Sequence, residues 1–252
     1  MKKLKFRIAP SLWLLGTLTL LATAPIISVA QTPVVDPAAT QILKRMTDYL
    51  GTLEQFSVHT QVTLEDVTEF GHRIDFDVSA RAIVKRPNKL LAERRGESVD
   101  QIFYYDGKTL TLYNPSNKVY ATEAAPETIE ELLDYTRESL GLIIPVADLI
   151  YRNSYELLMQ NLDFATVVDK AVIGGVTCDH LLFSRPGVDF QVWVADGSRA
   201  VPCKYVVTDT GNPGMVSVTT IMSDWNFSPA IADNEFTFTP LQGAKRIGFM
   251  RL

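Results

Sequence analysis

This chain is short of the groups on which most chemistry depends. Of its 252 residues only two are cysteines, Cys178 and Cys203, and three are histidines, His59, His72 and His180. Two cysteines cannot build a disulfide framework or a four-thiolate zinc site. Cys178 and His180 point to the same face of a strand, but zinc needs three or four protein ligands and the other histidines lie far off in sequence. A catalytic thiol needs a base and an orienting group; a buried strand cysteine beside an edge histidine is the simpler reading. G-x-S-x-G, the phosphate loop and H-E-x-x-H are all missing. Asp75 and Asp77 alternate with apolar residues, which puts them on a solvated strand face rather than in a carboxylate pair for glycoside cleavage. No catalytic residues, no metal and no cofactor are therefore expected, and the chain does not read as an enzyme.

Basic charge is scarce too, once its distribution is considered. Lys2, Lys3, Lys5 and Arg7 cluster at the start, and the apolar run SLWLLGTLTLLATAPIISVA follows, ending Ser28-Val29-Ala30 before Gln31. Basic, apolar and small-residue regions in that order form a secretory signal peptide, cleaved after Ala30. Taking its four basic residues from the 24 Lys+Arg leaves 20 against 29 Asp+Glu, a net charge of −9. Nucleic acid and anionic membranes want a basic patch, so nucleic acid is excluded as a partner. No second run approaches the roughly 20 apolar residues that span a bilayer. The expectation is a soluble, exported, periplasmic protein with one domain over 31–252.

What is present is a dense pattern of strands. Phe76, Val78, Ala80, Ala82 and Val84 alternate with polar residues, the mark of a half-buried antiparallel strand. Lys85-Arg86-Pro87-Asn88 ends it, Lys89 to Arg95 follows, and Asp106-Gly107 joins two further strands as a hairpin. Asp36 and Pro37 cap a helix over about 38–53, with Ile42, Leu43, Met46, Tyr49, Leu50 and Leu53 as its apolar stripe. From Glu127 to Leu162 the period becomes helical, with breaks at Gly141 and Pro145. These helices are too short to stand alone and must lie on the sheet. Strands resume at Phe164 and close with Phe236–Pro240, about ten or eleven in all. The class is α+β, a long curled antiparallel sheet with helices on one side. In a plain meander Cys178 and Cys203 flank the strand between them at about 9–10 Å. A bridge needs about 7 Å, so two free thiols are expected, although an oxidising compartment permits a bond.

Three stretches resemble the LolA/LolB/LppX-like superfamily of periplasmic lipoprotein carriers. They are Val84-Lys85-Arg86-Pro87-Asn88, the hairpin from Asp106 to Pro115, and Phe236 to Gly243. Glu127–Leu162 and the Gly175–Phe183 stretch look closer to an uncharacterised family of predicted periplasmic proteins within that superfamily. The resemblance implies an incomplete, half-open antiparallel β-barrel covered by a helical lid, with an apolar cavity between them. It implies a carrier of lipid or of acylated lipoprotein, monomeric and in transient contact with membranes. The arginine of the carrier motif, matched only by Arg86, would tether the lid, as a partly exposed side chain contributing about 0–1 kcal/mol to folding. Ile143, Ile144, Leu149 and Ile150 would cover the cavity mouth, with Leu132, Leu133 and Leu140 beside them. The alternative on the same fold is an envelope interaction or stress-sensor module that binds a partner protein or a mislocalised lipoprotein.

Overall fold

Alternation along the chain is realised as one continuous sheet. The computed structural model describes residues 33–97, 99–142, 144 and 146–249. The expected signal peptide with its cleavage site, and the lid positions Ile143 and Pro145, lie outside the described residues. A two-residue strand, β1 (Val34–Val35), leads into helix α1 (Pro37–Thr52). An antiparallel meander follows: β2 (Gln55–Val67), β3 (Arg73–Lys85), β4 (Lys89–Gly96), β5 (Asp100–Tyr105), β6 (Thr109–Asn114) and β7 (Val119–Ala124). The helical segment comprises α2 (Ile129–Leu140), a 3₁₀ turn (Ala147–Leu149) and α3 (Ser154–Met159). A second meander holds β8 (Phe164–Ile173), β9 (Val176–Arg185), β10 (Val188–Ala195), β11 (Pro202–Asp209) and β12 (Ser217–Asn226), and a short β13 (Lys245–Ile247) ends the fold.

The two meanders join where β12 pairs with β2, in the order β1-β8-β9-β10-β11-β12-β2-β3-β4-β5-β6-β7-β13. The ends do not pair, so the sheet is open rather than a closed barrel. The long strands number eleven among the described residues, against the ten or eleven expected, but β7 stands in place of the expected strand at Phe236–Pro240. The additional β1 and β13 are short parallel strands on β8 and β7, one at each edge. Covering an edge in this way limits the exposure of unpaired backbone groups.

The helices start and stop where local chemistry dictates. Asp36 accepts a hydrogen bond from the Ala38 amide at 2.8 Å and Pro37 occupies the first turn. Thr128 accepts from the Glu131 amide at 3.2 Å to begin α2. Gly141, at φ +60°, ends it in the left-handed conformation that glycine adopts without a Cβ penalty. α1 packs on β8, β9, β10 and α3. Its buried face, Ala39, Leu43, Met46 and Leu50, belongs to one cluster with Ile129, Leu132 and Leu133 of α2 and with Leu90, Tyr105, Leu181, Phe183, Phe190 and Tyr205 of the sheet.

Two expectations are corrected. Phe236–Pro240 is not a strand. Residues Asp233–Phe236 form a 3₁₀ turn, and Phe236 is fully buried against Ile83 and Leu91 on the face away from the helices. Phe238 packs on the rings of Tyr104, Tyr113 and Tyr120. The segment's alternating aromatics are therefore used as side-chain anchors across the outer face, not in a ladder. Cys178 and Cys203 are bonded to each other. The register of β10 against β11 shifts between Trp193 and Val194, which leaves Cys203 as the extra residue of a bulge. A bulge turns and shortens the strand locally, and the Cα separation falls to 7.0 Å.

Candidate functional site

The inner face of the sheet has a stretch of short side chains at its centre. Phe56, Val58, Thr60 and Val62 of β2 stand opposite Val84, Ala82, Ala80 and Val78 of β3. Ala82 and Ala80 stand opposite Ala92 and Arg94 of β4, which in turn face Phe103 and Gln101 of β5. Ala80, Ala82 and Ala92 thus adjoin one another across two strands, with taller residues around them. The helical cover rests on the tall residues and leaves a cavity of about 290 Å³ above the methyl groups. Leu50 of α1 and the connector residues Leu142, Ile144, Val146, Leu149 and Ile150 line it from above; Met222 and Trp225 line it from β12. Small-molecule pockets begin at about 300 Å³, and apolar cavities half this size already stay dry and admit apolar guests.

Arg86 holds the cover to the sheet. It follows β3, and its guanidinium reaches three separate segments. Nε donates to the Leu53 carbonyl at the end of α1 at 3.2 Å, Nη1 donates to Glu130 of α2 at 3.0 Å, and Nη2 donates to the Ile150 carbonyl. The side chain is 1% exposed, against 28% for Glu130. Burial pulls the guanidinium pKa down, and the Glu130 carboxylate opposes that pull. The picture of a partly exposed tether worth little to folding is corrected: the group is buried, and the planar fork satisfies three acceptors at once. Pro87 adds a backbone link, its carbonyl accepting from the Ile129 amide at 2.9 Å. Arg152 makes an exposed counterpart, donating to the Gly51 carbonyl at 2.9 Å and pairing with Glu54 at 3.1 Å.

The residues singled out from the sequence fall into three groups. Ile144, Leu149 and Ile150 line the cavity. Leu132, Leu133 and Leu140 do not. They are buried in the same apolar cluster as Leu90, Tyr105 and Leu110, beyond the reach of the cavity. Arg86 lies beside the cavity at the junction of its cover. The buried Tyr105 and Tyr151 are hydrogen-bonded: Tyr105 donates to the Pro126 carbonyl at 2.6 Å and Tyr151 to Asp134 at 2.8 Å. Burial raises the pKa of both phenols, with the Asp134 bond adding to the effect at Tyr151.

The sheet-side lining was not singled out as binding residues, although a signal existed: Ala80 and Ala82 are the smallest members of the alternating face. Arg94 was missed as well. It follows Leu90 and Ala92 on the inner parity of β4 and lines the cavity. Its Nε and Nη2 both donate to the Gln101 amide oxygen, the first at 2.9 Å. Burial lowers its pKa, with no carboxylate to offset the effect. Trp225, at the other end of the lining, has a buried indole N–H with no acceptor among the described residues.

Against known proteins, a family model described as "Predicted periplasmic protein (DUF2092)" matches residues 39–250. No curated protein matches the chain in sequence. Among solved structures, an uncharacterized conserved protein from Thermus thermophilus is similar in fold at a TM-score of 0.50 and 10% identity, over 84% of this chain and 99% of that one. Lipoprotein LppX of Mycobacterium tuberculosis gives 0.45 and 16% identity over 78% of this chain and 100% of its own. The LolA superfamily protein NE2245 of Nitrosomonas europaea gives 0.40 and 11% identity over 79% and 97%.

Proposed function

The chain belongs to the DUF2092 family of predicted periplasmic proteins, and from that premise we propose that it is an exported binding protein for lipid-like acyl chains. The observation that carries this reading is the apolar cavity of about 290 Å³ between the sheet and its helical cover. Its floor is built from alanine where leucine or phenylalanine would fill it, and a core that needs no space inside is normally packed to crystal density. A void lined by such residues forfeits dispersion contacts, and an apolar guest restores them. Arg86 holds the connector that carries Leu149 and Ile150 over this space, so movement of the connector requires its bond to the Ile150 carbonyl to open. The mature domain of this reading starts at Gln31, without the signal peptide, and acts in the periplasm.

The test is uptake of an apolar fluorescent probe by mature protein freed of endogenous lipid, together with native mass spectrometry of protein isolated from its own envelope. Saturable binding of the probe near one per chain, and a lipid mass released on organic extraction, are expected. A stripped protein that takes up no probe sinks the binding-protein reading and favours the interaction module.

A further inference from the structure

Arg94 stands in the cavity wall without a counter-charge. Two of its five N–H donors go to a single acceptor, the Gln101 amide oxygen. The remaining three have no protein acceptor among the described residues, and no carboxylate lies within ion-pair distance there. Arg86, which is more deeply buried, has Glu130. The neighbouring Glu93 also borders the cavity, but it belongs to the opposite parity of β4, opposite Arg81, and forms no ion pair with Arg94 among the described residues. Arg94 is half-buried, so its guanidinium gives up part of its hydration with only the neutral Gln101 beside it. Leu90 and Arg94 are four residues apart on β4, roughly 13 Å of strand, so the charge sits at one end of the apolar floor. Leu149 and Ile150 sit at the other, where Arg86 bonds the Ile150 carbonyl.

We propose that the cavity takes a single-chain amphiphile with an anionic head, a carboxylate or a phosphate monoester. The head pairs with Arg94 and Gln101, and the chain lies over Ala80, Ala82 and Ala92 toward Leu149 and Ile150. This rests on the binding-protein reading above and narrows its ligand class. The volume, equal to about ten water molecules at their share of the liquid, suits one chain rather than three. The Arg94 N–H donors that Gln101 does not engage call for acceptor oxygens.

The experiment is calorimetric titration of delipidated mature protein with four probes that share a dodecyl chain: dodecanoate, dodecyl phosphate, dodecanol and dodecyltrimethylammonium. At least one anion should bind roughly 10–100-fold more tightly than dodecanol, from charge-assisted hydrogen bonds, and the cation should bind most weakly. Whichever anion is tighter distinguishes a fatty acid from a phosphate-headed lipid. Arg94→Gln should bring the anions to the affinity of dodecanol, while Arg94→Lys retains the preference for anions; thermal unfolding of each variant checks that it is folded. Dodecanol binding as tightly as both anions, in wild-type protein, overturns the role of Arg94 and leaves the binding-protein reading standing. An anion preference that survives in Arg94→Gln overturns it in the same way. Failure of all four probes overturns both.

Discussion

Replacing Arg86 by leucine tests how much of the fold hangs on one side chain. The substitution leaves two main-chain carbonyls, of Leu53 and Ile150, without their donors in a place that is 1% exposed at the arginine. A buried polar group left unpaired costs about 1–3 kcal/mol. Glu130 loses its partner too, but at 28% exposure it regains water, and that pair is worth about 1 kcal/mol or less. The apolar leucine recovers part of the loss by burial. The net expected destabilisation is about 3–5 kcal/mol, within the range for breaking a buried ion pair from one side. With a urea m-value near 3 kcal/mol/M, the midpoint of unfolding should fall by about 1–2 M at unchanged m. Arg86→Lys keeps the charge but cannot span three acceptors, and should lie between wild type and Arg86→Leu. Glu130→Gln should cost about 1 kcal/mol or less, because only the exposed arm is touched. An Arg86→Leu protein within 1 kcal/mol of wild type would refute the reasoning, since it would mean that the three bonds do not hold the cover down.

Four further outcomes are expected. Ala82→Phe fills the cavity floor, so it should lower probe affinity at least tenfold while leaving the melting temperature equal or higher; unchanged affinity would show that ligands bind elsewhere. Leu133→Asp should unfold the protein rather than merely block binding, because Leu133 is in the packed core and an unpaired carboxylate there is neutralised only at large cost; a folded variant with wild-type stability contradicts this placement. Intact mass without reductant should be lighter than the dithiol form by two hydrogens, and Cys178→Ser should cost about 3–4 kcal/mol for a closed loop with a sequence separation of 25. N-terminal sequencing of the exported protein should begin at Gln31; a product that starts at Met1 in the membrane fraction excludes the cleavage site.

Period and punctuation in the sequence determined most of the strands, the helix ends and the face each of those strands buries. These depend on contacts within a few residues: Asp36 caps its own helix, Gly141 stops its own, and Asp106-Gly107 turns its own hairpin. The order of the two meanders around the β12–β2 junction, and the short edge strands β1 and β13, depended on pairing between distant segments. Ile144, Leu149 and Ile150 were legible as cover because they sit in an apolar connector that must face the sheet. Leu132, Leu133 and Leu140 were indistinguishable from them, since core and cavity wall use the same residue types. Only the position of the cavity, bordered by Ile144, Leu149 and Ile150 and not by the α2 leucines, separates the two. The disulfide was out of reach for a related reason: one extra residue at Cys203 is a bulge only in relation to the partner strand, and a plain meander gives no hint of it. Arg94 carries its inner parity in the sequence, but its lack of a counter-charge does not appear there. Acids are plentiful along the chain; whether one reaches a given arginine is decided in three dimensions, where Coulomb energy and desolvation act through space.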